Sequence, residues 1–139
     1  MKRNLQNLNL QPADRIVVPK SDLRWVQHHA IYLGKDANNT AWFAENNIGK
    51  GVQVIPANQF FLDVIEITRI EPFNGTLAQR KEAVRSALAL KGKHYDLLHF
   101  NCEHYANLIQ HKKQISDQAK NGLALGVIAL FAAILSNSN

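Results

Sequence analysis

Apolar residues alternate in β-like fashion as far as Ile70 and recur at helical spacing from Thr76 onward, with Pro72 between the two regimes. Parallel strands need long crossovers, usually helical, and a chain that writes its strands before its helices has none to spare. The order therefore predicts an α+β domain with an antiparallel sheet. Strands are expected at Asp14–Val18, Trp25–Gly34, Ala41–Asn46, Val52–Ile55 and Val64–Ile70, with Lys35–Asn39 as a hairpin loop. In the second strand His28, Ala30 and Tyr32 share one face, and His29, Ile31 and Leu33 the other.

Thr76 to Leu90 carries Leu77, Val84, Ala87 and Leu88 at helical spacing, and Thr76 with Gln79 makes a capping-box pattern. A second helix is expected from Asn101 or Cys102 to Lys113: Asn101 is a good N-cap, and Glu103 sets negative charge in the first turn. Leu123 to Leu135 then runs without a polar side chain. As a helix it would be about 20 Å long, short of a hydrocarbon core of ~30 Å. Its apolarity on every side excludes an ordinary surface helix and leaves the domain core, a membrane or a partner to bury it. The expected organisation is a loose lead-in over 1–12, one catalytic domain over 13–115, and an apolar C-terminal helix with a polar tail over 116–139.

A chain of 139 residues with 46% hydrophobic and 19% charged residues suits one globular domain and excludes disorder. The net charge of +5 is spread in ones and twos, without aromatic interleaving, so no specific nucleic-acid reader is indicated. One cysteine forms no intramolecular disulfide, and no apolar stretch follows the basic start at Met1–Asn7. The expectation is a cytoplasmic protein, with attachment to a membrane surface through 122–135 left open.

Cys102 admits two readings. It shares a helical face with Tyr105, Ala106 and Ile109, as a core cysteine would. It also stands at a helix start, where free N–H groups and the helix dipole favour the thiolate, the form that attacks carbonyl carbon. A nucleophile needs a base, and His28 or His29 on an apolar strand could equally be structural.

Taken together, H-H-A-I-Y-L-G at His28–Gly34 and N-C-E-H-Y at Asn101–Tyr105 resemble the paired motifs of the lecithin:retinol acyltransferase-like family. That family includes the H-Ras-like suppressor phospholipase/acyltransferases and the viral H-box/NC proteins. Asp14-Arg15-Ile16, Gly51-Val52 and Lys93-His94-Tyr95-Asp96-Leu97 support the match, which covers about residues 13–112. The resemblance implies a permuted papain-like (NlpC-type) fold, with the sheet packed against the cysteine-bearing helix. It places the nucleophile at Cys102 and the general base at His28, with the Cys102 N–H as first oxyanion donor. The family's orienting histidine is missing, and Glu45, with Asn46 as alternative, stands in its place. Ala13 replaces a family glycine. His29 replaces an aromatic and is expected, with Tyr32 and Tyr105, to line the substrate site. The implied activity is that of a thiol-dependent acyltransferase or phospholipase, forming a Cys102 acyl-thioester from a lipid or acyl ester without a cofactor. The alternatives are a cysteine amidase or peptidase of NlpC type, or a non-enzymatic interaction module. A metal set of His28, His29, Cys102 and His104 lacks the usual zinc spacings.

Overall fold

The computed structural model describes residues 8–20 and 23–120, with the backbone alone at 23–25 and 112–120. Five strands, β1 (Arg15–Lys20), β2 (Leu23–Lys35), β3 (Ala41–Asn47), β4 (Gly51–Pro56) and β5 (Arg69–Glu71), form one sheet in the order β4-β3-β2-β1-β5. Every neighbouring pair is antiparallel. The β2–β3 hairpin closes where the Asp36 carboxylate accepts the N–H groups of Asn38 and Thr40 and the indole N–H of Trp42. Between Tyr32 and Gly34 the register slips by a β-bulge, with Gly34 at φ +102°.

Strand alternation gives the sheet two apolar faces. On one, Ile31, Ala44 and Val52 pack with helices α2 (Leu77–Ala89) and α3 (Cys102–Lys120), which contribute Ala83, Ala87, Tyr105, Ala106 and Ile109. On the other, Ile16, Val18, Ala30, Tyr32, Phe43 and Ile55 meet Phe60 of the short helix α1 (Ala57–Phe60). Phe43 and Phe60 stack with ring centroids 4.5 Å apart. Burying side chains of this size stabilises the fold by about 1.5–3 kcal/mol each.

Two expectations about elements are corrected. Residues 64–68 form no strand, because the chain after β4 must cross from one edge of the sheet to the other; only Arg69–Glu71 is left to pair with β1. In crossing, Phe61, Val64 and Ile67 lie against the Phe43 face. Helix α2 has the expected capping box, with Gln79 N–H donating to Thr76 Oγ1 and Thr76 N–H to Gln79 Oε1. It nevertheless buries Ala83 and Ala87, while Leu77 and Leu88 stay exposed. Small residues let α2 approach α3 closely enough for the Tyr105 hydroxyl to reach the Ala87 carbonyl at 2.9 Å. The expected apolar C-terminal helix falls outside the described residues. Among them, no helix is long and apolar enough to cross a membrane.

Candidate active site

Cys102 is the first residue of α3. The Asn101 side-chain oxygen accepts the N–H groups of Glu103 and His104, each at 3.0 Å, and His104 Nδ1 accepts the Asn101 N–H at 3.2 Å. Asn101 and His104 thus cap the helix reciprocally, a structural reason for two of the five residues in N-C-E-H-Y. The helix start meets the sheet where the β2–β3 register ends, at the pair Ala30–Glu45. There the half-buried Cys102 Sγ lies 3.9 Å from the Gln27 carbonyl oxygen and receives the His29 backbone N–H.

His28 stands on β2 beside the same gap, buried, with Nε2 at 2.5 Å from Glu45 Oε2. The second carboxylate oxygen of Glu45 accepts from Gln53 Nε2 at 2.6 Å and Asn47 Nδ2 at 3.4 Å. The carboxylate is therefore held from three sides, and it holds the ring through one nitrogen. The other nitrogen, Nδ1, is buried and makes no hydrogen bond of regular geometry among the described residues. It is the nitrogen left to face the thiol.

The electrostatics couple the two groups. Burial opposes a charge on His28, but the Cys102 and Glu45 side chains outweigh it and raise the imidazole from 6.5 to about 9. Burial likewise opposes a Cys102 thiolate; His28, the His29 N–H and the Lys20 ammonium overcome that and lower the thiol. Glu45, pushed up by burial, ends below the ordinary carboxylate range because His28 and the two amides favour its anion. Each group thus favours the charged form of the other, thiolate beside imidazolium, and the two titrate as a coupled pair.

The chain matches, over residues 6–107, the model of a family of permuted papain-like amidases, the YaeF/YiiX or C92 family. The protein belongs to this family. The superfamily implied by the paired motifs is thereby correct, and the family matched within it is the amidase one. No curated protein and no solved structure shows significant similarity to the chain.

The C92 family chain brings Cys102, His28 and Glu45 together; it does not bring Asn46 to the imidazole. Asn46 points to the opposite face of β3 and donates to the Phe100 carbonyl. The three residues expected to line a substrate site pack instead. Tyr105 is fully buried between α2 and the sheet. Tyr32 lies in the Phe43 cluster. His29 accepts from Arg15 Nε at 2.9 Å through Nδ1; burial and then the Arg15 charge lower it to about 4. Arg15 is itself buried and also donates to Asn107 of α3 at 2.6 Å, so His29 belongs to a sheet-to-helix tie. The four residues of the metal alternative do not converge, since His29 faces Arg15 and His104 caps α3.

An open space in the protein adjoins His28. A cleft of about 490 Å³ is lined by His28, Glu45, Lys20, Lys50, Phe60 and Leu62 among others. None of these but His28 and Glu45 was marked by a motif, because Phe60 and Leu62 reach the cleft only through the crossing segment. Tyr95 lies near enough that its phenol, raised first by burial, is raised further by the Cys102 charge. It belongs to Lys93–Leu97, a stretch matched to a family motif.

Proposed function

We propose that the protein is a cysteine amidase whose nucleophile is Cys102, whose general base and acid is His28, and whose orienting carboxylate is Glu45. The thiolate attacks an amide carbonyl carbon, and the carbonyl electrons move to oxygen. The Cys102 N–H, one of the first-turn groups an α-helix leaves without an internal acceptor, faces the developing oxyanion. Collapse breaks the C–N bond as the His28 imidazolium gives its proton to the departing amine, leaving an acyl-thioester and a neutral ring. Water then loses a proton to His28 and attacks the thioester; the C–S bond breaks, releasing the acid and restoring the ion pair. Glu45 holds the ring in place and stabilises its cationic form.

The observation that carries this reading is geometric: Cys102 opens α3 against β2, and beside it Glu45 Oε2 holds His28 Nε2 at 2.5 Å and leaves the buried Nδ1 free of other partners among the described residues. The test is incubation with a panel of N-acyl amino acids and peptide amides, scoring amine release and acylation of the Cys102 peptide by mass spectrometry. Cys102→Ala and His28→Ala, both folded, are expected to release nothing. A Cys102 that alkylates no faster than free cysteine would refute the reading and favour an interaction module.

A second reading has one observation in its favour. Phe60, Leu62 and Val64 give the cleft an apolar wall along which an acyl chain could lie. On that reading the donor is a lipid or acyl ester, met at a membrane surface through 122–135. Acyl-Cys102 formed from phospholipid vesicles, with no amide cleaved, would select it.

A further inference from the structure

We propose that Asn46 is a positioning residue for the nucleophile, its side-chain amide tying the carbonyl two residues before Cys102 to β3. The proposal rests on the amidase site described above. Asn46 Nδ2 donates to the Phe100 oxygen at 2.7 Å, and the residue is fully buried. Phe100 closes the loop ahead of α3 through a reciprocal bridge with Asp96, Phe100 N–H to Asp96 O at 2.8 Å and Asp96 N–H to Phe100 O at 3.0 Å. The amide of Asn46 therefore holds the end of a closed loop, and Cys102 follows two residues on.

Packing alone does not account for an amide at this position. Its Oδ1 is buried and meets no donor among the described residues, and leaving such an atom unpaired is unfavourable. A leucine has the same branched skeleton without that penalty. What asparagine supplies is the donor to Phe100. Its neighbour on the strand, Glu45, points the opposite way and holds His28. Two successive residues of β3 thus fix the two halves of one reacting pair, one through the imidazole and one through the loop that delivers the sulfur.

The experiment compares Asn46→Leu with the wild-type protein in thermal melts and in iodoacetamide alkylation of Cys102 across pH, with His28→Ala as reference. Asn46→Leu leaves the Phe100 carbonyl its bond from Asp96 and removes an unpaired buried oxygen, so the melting temperature is expected to hold or rise. The alkylation rate at neutral pH is expected to fall about tenfold, and the thiol midpoint to rise by on the order of one unit, as the sulfur moves out of register with His28 and the His29 N–H. A folded Asn46→Leu with an alkylation profile superimposable on wild type overturns the proposal. Should that variant not fold, Asn46→Ala, measured below its own melting temperature, decides by the same two readings. A wild-type profile without any His28-dependent limb is a different result: it removes the amidase site, and this inference with it.

Discussion

Replacing Glu45 by glutamine isolates what its charge does for His28. The amide keeps the volume and an oxygen that can accept the Nε2 proton, so the ring stays supported while the negative charge is lost. In the native protein burial works against the imidazolium, and the ring still titrates near 9 instead of 6.5. Glu45 supplies two of the contributions that overcome burial, a hydrogen bond at 2.5 Å and its charge, with Cys102 supplying the others. An opposite charge this close moves a pKa by about 1–3 units, which corresponds to about 1.4–4 kcal/mol. The His28 midpoint in Glu45→Gln is therefore expected between about 6 and about 8. The assay is NMR titration of the His28 ring in both proteins, followed by kcat/KM against pH with any amide the wild type cleaves. The alkaline limb, where the imidazolium loses its proton, should move down by the same amount as the NMR midpoint. A folded Glu45→Gln whose His28 midpoint is unchanged would refute the role given to the carboxylate.

The pair should leave little mark on global stability between pH 6.5 and about 9. His28, raised, stabilises the fold below 6.5 and loses that contribution as pH rises through 9, while Cys102, lowered, contributes stability above 9.0 that is lost as pH falls through its lowered value. The two slopes oppose each other, so urea midpoints are expected to change little across that range; a steep slope that His28→Ala abolishes would contradict the ion pair. Gly51→Ala should destabilise the protein by more than about 2 kcal/mol, since φ is +71° and a Cβ would lie 2.3 Å from the Lys93 oxygen; a melting temperature equal to wild type would refute it. Ala13→Gly should be close to neutral despite removing a fully buried methyl, because Ala13 sits at φ 75°. The left-handed region costs an alanine about 1–2 kcal/mol, against about 0.8 kcal/mol for the methyl; a large loss in calorimetry would show that the strain is absent.

Much of the architecture was readable because it obeys local rules. The capping box of Thr76 and Gln79, the Asn101 cap and the hairpin loop after Lys35 each depend on residues within a few positions of one another. The crossing segment was misread because Val64–Ile70 has strand composition, and composition says nothing about whether a neighbouring edge is free. Leu77 and Leu88 misled in the same way, since which side of α2 is buried depends on how near α3 must come. Tyr105, His29 and Tyr32 lie within or beside the motifs that carry the chemistry, yet they serve the core.

The amino-acid sequence alone determined an antiparallel sheet ahead of its helices and a thiol at a helix start, both from spacing and side-chain chemistry; the resemblance of the paired motifs added a strand end offering Glu45 and Asn46 to the imidazole. Which of those two residues meets His28 was decided in three dimensions. The hairpin begins with Lys35 opposite Ala41 and Gly34 opposite Trp42, a register that would set Asn46 opposite Ala30; the bulge between Tyr32 and Gly34 shifts it by one, and Glu45 takes that place. A single-residue slip turns a strand's side chains to the other face. Contacts of the whole sheet stabilise that slip, so no short stretch of sequence specifies it.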